Sequence, residues 1–213
     1  RALTPAANVR HNARFVPQTV APMKISIAQG HNPPHNINGI TVIIDVIRAF
    51  TTSHEAFLGG ASHIYPVSSA DDAFRLREDY REGLLVGVAA TLRARDSRQV
   101  LVGALINAEA TANYIREQNP DTVVLVASHP TGDEDVACAE YIRGLLGGEG
   151  ISLEQARERT RNAFAAKKFL DGSHPRLRPQ DIDMAASSAG PDALIMGVTD
   201  EPVPRIDVIR RAS

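Results

Sequence analysis

The run Thr41-Val-Ile-Ile-Asp45 constrains the fold more than any other part of the chain. Val42, Ile43 and Ile44 are consecutive and β-branched, and an unbroken run of that kind reads as a strand buried on both faces. Asp45 then falls at or just past the strand's C-terminal end, where open α/β sheets bind ligands. Arg48 follows, and Thr51, Thr52 and Ser53 stand just before an expected helix over His54–Leu58, closed by Gly59-Gly60. Hydroxyls and free N–H groups at a helix start suit an anion such as phosphate. Arg48 would add a bidentate clamp. A purely structural reading fits the same residues: Asp45 as a turn or N-cap residue, Arg48 as its ion-pair partner, and the threonines as helix starters.

The rest of the chain alternates strand and helix. Met23–Ile27, Ser62–Val67, Leu84–Val86, Val100–Leu105, Thr122–Ala127 and Ala193–Val198 read as strands. Ala70–Tyr80, Asn107–Glu117, Glu134–Leu146, a long Leu153–Phe169 and a short Asp181–Ser187 read as helices. That order predicts an α/β fold of three layers, α/β/α, around a mostly parallel sheet. Residues 1–39 read as an N-terminal arm with a first strand and loop, and 40–213 as the α/β domain. The Pro33-Pro34 pair between His31 and His35 forbids a helix there, so both histidines read as loop residues.

Val123–Ala127 repeats the plan of the first unit: an apolar strand, then Ser128-His129-Pro130, then Asp133-Glu134-Asp135 at a helix start. The echo points to an internal duplication. If the two strands lie close, Asp45, Glu134 and Asp135 converge at one edge, where three carboxylates repel unless a cation joins them. Mg²⁺ takes oxygen ligands and keeps several waters, so two of the three suffice. The alternative is that the Asp133–Asp135 acids only complement their own helix dipole.

Composition excludes several classes. With 213 residues the chain can bury a sizeable core without staples. Cys138 is the single cysteine, which fits a reducing cytoplasm. A net charge of −2, no long basic run and 5% aromatic residues argue against nucleic acid as the partner, and no apolar run reaches membrane-spanning length. A small anionic molecule is the expected ligand. An arm without an obvious intrachain core pattern makes a homodimer the expected assembly.

One junction is awkward. Leu84–Gly87 reads as a strand and Val88–Arg95 as a helix, with only Gly87 as a poor cap between them. The junction reads as a place where a segment is lost; a natural loop deletion is the competing reading.

Three motifs carry a family resemblance. Val42-Ile-Ile-Asp45-Val-Ile-Arg48-Ala-Phe-Thr51-Thr52, Gly103-Ala-Leu-Ile-Asn107-Ala-Glu-Ala-Thr-Ala112 and Gly132-Asp-Glu134-Asp135-Val-Ala-Cys138-Ala-Glu140-Tyr-Ile142 resemble the signatures of the 2-phosphosulfolactate phosphatases, a Mg²⁺-dependent group. Phe50 stands where a threonine is usual, Glu140 where a glycine is frequent, and Ser128-His129-Pro130 where the family tends to show Ala-Gly. A phosphate loop of Thr-Asn-Gly-Thr type is not visible, and its place coincides with the Gly87–Val88 junction. The resemblance implies a phosphoric monoester hydrolase acting on a small carboxylated or sulfonated alcohol. It implies catalytic or metal-binding roles for Asp45, Glu134 and Asp135. Arg48, Thr51 and Thr52 would hold substrate oxygens, Asn107 would orient the substrate, and His129 would supply a proton. Two rival outcomes are a scaffold recruited to other chemistry on a small acid and a binding module without catalysis.

Overall fold

The computed structural model describes residues 22–34, 38–67, 69–79, 84–87, 96–172, 175–200 and 202–210. Its elements are β1 (Lys24–Gln29), β2 (Ile40–Ile44), α1 (Ala49–Leu58), β3 (Ile64–Val67), α2 (Ala70–Asp79), β4 (Leu84–Gly87) and β5 (Gln99–Gly103). A 3₁₀ turn over Leu105–Asn107 leads into α3 (Ala108–Gln118), β6 (Thr122–Ala127) and α4 (Asp133–Leu145). Then come α5 (Leu153–Asn162), α6 (Phe164–Leu170), α7 (Pro179–Ala185), β7 (Ile195–Thr199) and β8 (Arg205–Arg210). Of the expected N-terminal segment 1–39, residues 1–21 and 35–37 lie outside the described residues, and so does the dimer contact assigned to the arm. His35 and the Val88–Arg95 helix also lie outside them.

The strands form one sheet in the order β1-β6-β2-β5-β7-β8-β3-β4. The block β1-β6-β2-β5 is parallel, and β3 pairs with β4 in parallel too. β7 and β8 run antiparallel between the two groups. The α/β, three-layer expectation therefore holds, with an antiparallel seam. β8 was not anticipated, although Ile206 and Val208 alternate with Arg205 and Asp207 as a strand requires.

The core centres on β2, every residue of which is buried. Val42, Ile43 and Ile44 are fully inaccessible, each contributing roughly 1.5–3 kcal/mol of burial. Phe50 and Phe57 of α1, Leu101 of β5, Leu125 of β6 and Ile142 of α4 join the same cluster. Burial on both faces is why this run had to be β-branched and uninterrupted.

Two helices differ from expectation. α1 begins at Ala49 rather than after Ser53, because Asp45 Oδ1 accepts the Ala49 N–H at 3.0 Å and so satisfies the first turn itself. The long helix breaks at Ala163, whose ψ of 150° ends α5 and opens α6. Just before the break, Thr160 Oγ1 donates back to the Ala156 carbonyl at 2.9 Å, a bond that bends helices. The bend lets Ala166 and Phe169 form a second small core with Ile182 of α7.

Candidate active site

β2 lies directly beside β6, with Ile44 in register with Ala127. Both strands end at the same edge, and their trailing loops meet there. Ser128 N–H donates to the Ile44 carbonyl at 2.9 Å, and Asp45 N–H donates to Gly103 of β5 at 3.2 Å. The end of β2 is thus fixed from both sides before any side chain is considered.

Asp135 closes the arrangement. Its Oδ1 accepts the Val46 N–H at 2.8 Å, and its Oδ2 accepts the Ser128 hydroxyl at 3.3 Å and the His129 N–H at 3.2 Å. Both oxygens are spent on the two loops. Gly132 permits this closeness: a Cβ there would stand 2.9 Å from His129 Cβ and 3.2 Å from Asp135 Oδ2.

The three expected acids therefore meet. Glu134 and Asp135 are buried, and Asp45 is part-buried by surface area yet ringed by protein. Burial, then the Glu134 charge against the opposing pull of the Ala49 N–H, pushes the Asp45 carboxyl up to about 6. Burial, followed by the Asp45 charge, pushes Asp135 up to about 8. Burial raises Glu134 as well. The Lys168 ammonium acts in the opposite sense on both Asp45 and Glu134.

Among the described residues no three His, Cys, Asp or Glu side chains are grouped to hold a metal ion. The physical reason is the occupation of Asp135, which ties loops together instead. Asp45 and Glu134 are left as the oxygen donors at the edge.

Two of the three hydroxyls expected to cradle an anion serve backbone carbonyls instead. Thr51 and Ser53 lie within α1, where Thr51 donates to the Val46 carbonyl at 2.9 Å and Ser53 to the Ala49 carbonyl at 2.8 Å. Thr52 is exposed in the same helix, its N–H donating to the Arg48 carbonyl at 2.9 Å. Arg48 bonds Asp181 of α7 at 2.6 Å and lies over the Phe169 ring at 5.5 Å. Asn107 is buried behind the end of β5, its Oδ1 accepting from Ala104 N–H and its Nδ2 donating to the carbonyls of Val102 and Leu194; the Gly103–Ala104 peptide it holds is the one whose carbonyl accepts the Asp45 N–H. It ties these backbone segments together and is fully buried.

His129 is exposed beside a cavity of about 440 Å³ that Glu134, Thr131 and Lys168 also line. Its Nδ1 accepts the Thr131 N–H at 3.2 Å. A neutral ring in that position carries its proton on Nε2. Lys168 was missed by sequence reasoning because a continuous helix gave no sign of the Ala163 bend that brings α6 to this edge.

The sequence profile described as 2-phosphosulpholactate phosphatase matches residues 27–89 and 86–178. The chain belongs to that family. A "Probable 2-phosphosulfolactate phosphatase" of Bacillus subtilis (strain 168) is 32% identical over 224 residues, covering 87% of this chain and 98% of that protein. Proteins of the same name from Carboxydothermus hydrogenoformans and Synechocystis sp. are 30% and 29% identical, covering 60% and 57% of this chain and 73% and 67% of their own lengths. The first of these alignments, at 224 residues, is longer than the whole 213-residue chain, so the Bacillus protein carries residues that this one lacks. Among the described residues no helix is long and apolar enough to cross a membrane.

Proposed function

We propose that this protein hydrolyses the phosphate monoester of a small hydroxy acid, 2-phosphosulfolactate or a close analogue, with Mg²⁺ as cofactor. One observation carries the reading: the pairing of β2 with β6 sets Asp45 and Glu134 at a single sheet edge, in a chain of this family.

Oxygen donors that repel one another suit a hard divalent cation, and Mg²⁺ takes one or two protein carboxylates while keeping waters and substrate phosphate. Asp45 and Glu134 would hold it. When bound, such an ion offsets the negative charge of the phosphoryl oxygens. Asp45 stands on the nucleophile side, its carboxyl fixed by the Ala49 N–H. His129 presents an Nε2 proton to the leaving oxygen, its ring set by Thr131. Asp135 acts one step back, holding the Val46 and His129 backbones in place.

Two further parts belong to the reading. The overlapping profile matches at 86–89 and the long Bacillus alignment support a segment lost between Gly87 and Val88; a peptide mass map across that junction reads it directly. Cys138, free and buried, supports a reducing cytoplasm.

The deciding experiment measures phosphate release from 2-phosphosulfolactate with and without Mg²⁺. Metal-dependent turnover is expected, falling roughly a hundredfold or more in Asp45→Asn. No turnover at any Mg²⁺ concentration rejects the reading.

A further inference from the structure

A phosphorylated hydroxy acid carries at least one acid group besides its phosphate, and 2-phosphosulfolactate carries two, a carboxylate and a sulfonate; the edge described so far accounts for the phosphate. The cation that the sequence offers for such a group, Arg48, is held by Asp181 and stacked on Phe169. The bend at Ala163 brings in a different one. Lys168, whose ammonium also lies over the Phe169 ring at 5.6 Å, lines the cavity that contains Glu134 and His129 together with Lys167, and its charge acts on Asp45 and Glu134 together.

Lys168 also lines a second hollow, of about 510 Å³, with Pro175, Arg176 and Leu177. The two hollows therefore share a wall. The first contains carboxylates, which suit a phosphoryl group accompanied by a cation. The second has two cationic side chains and no carboxylate among its lining residues. Leu177 packs against the Ala166, Phe169 and Ile182 core, which anchors that wall. A guanidinium at this position has the planar fork that matches a carboxylate or sulfonate.

We propose that the second hollow, walled by Lys168 and Arg176, receives a non-phosphate acid group of the substrate and so selects phosphorylated hydroxy acids over plain phosphate esters. The inference rests on the phosphatase reading. The hollow adjoins the reaction edge through Lys168 alone, so the ammonium contacts both ends of a bound molecule while Arg176 contacts only the distal one.

The test compares 2-phospholactate with isopropyl phosphate, which lacks the acid group, in the wild type, Arg176→Ala and Arg176→Lys. The wild type is expected to prefer the acid substrate. In Arg176→Ala that preference, the ratio of the two kcat/KM values, falls by about ten- to a hundredfold through KM, the range of one charge-assisted contact. Arg176→Lys recovers part of it. An unaltered ratio overturns the subsite. Calorimetric titration with phosphate-free sulfolactate adds a readout independent of turnover: weaker binding in Arg176→Ala supports the subsite, and equal binding, or none in the wild type, overturns it. Failure of hydrolysis with intact Arg176-dependent binding sinks the phosphatase reading and leaves the subsite standing.

Discussion

The Asp135 carboxylate accepts the backbone N–H of Val46 at 2.8 Å across 89 positions of sequence, and this bond locks the ends of β2 and β6 together. It makes Asp135 a positioning residue. Asp135→Asn keeps one carbonyl oxygen but turns an amide NH₂ towards the donors of Ser128 or His129. The variant is expected to lose about 1–3 kcal/mol of stability, the cost of one mismatched buried bond. Denaturant titration above about pH 8, where the wild-type group is ionised, checks it. A variant as stable as the wild type shows that the tie is unimportant.

The same cluster predicts how stability depends on pH. Asp45 and Asp135 sit above their ordinary value of 3.8, at about 6 and about 8. The folded state thus holds these protons more tightly than the unfolded chain. Their contribution is fully present below the ordinary value and is lost as pH rises through 6 and then 8. Metal-free protein should show a falling Tm across that window. Mg²⁺ should restore more at the alkaline end, where the carboxylates are ionised and the cation binds only the fold. A metal-free Tm that rises from about pH 5 to 8 contradicts this account.

β2 and β6 are legible because a β-branched run has few alternatives; their adjacency stands in the sequence only as a condition, because acids after a strand also serve the dipole of the helix they open. The antiparallel seam is less legible: β8 is as long as β6, but three of its six residues, Arg205, Asp207 and Arg210, are charged, so no apolar run marks it. Thr51 and Thr52 misled because hydroxyls before an apolar run resemble a cap, while Asp45 already caps that helix from four residues back. Arg48 misled for a different reason. Its partner, Asp181, lies 133 positions away, and no local pattern announces a tertiary ion pair.

That pair is itself testable. Arg48 and Asp181 are both partly exposed, so their coupling should be small, about 0.2–1 kcal/mol in a double-mutant cycle of Arg48→Ala and Asp181→Asn. Salt should weaken it. If Arg48 is instead a substrate clamp, Arg48→Ala raises KM strongly while the cycle shows no coupling in stability.

Asn107 separates a structural from a functional role most cleanly. Its amide serves three backbone groups, Ala104 N–H and the carbonyls of Val102 and Leu194, and is fully buried. Truncation to Ala strands one donor and two acceptors where water has little access. The expected loss is roughly 2–4 kcal/mol, since each unsatisfied buried group costs about 1–3 kcal/mol and relaxation recovers part. The Leu194 bond ties the Asn107 turn to the approach of β7, so the damage should spread into the antiparallel seam and appear as faster amide exchange in β7. KM of the protein that remains folded at low temperature should stay near the wild-type value, because this side chain is fully buried and its hydrogen-bond partners are all backbone groups. A stable Asn107→Ala enzyme with a KM raised tenfold or more would return Asn107 to the substrate site.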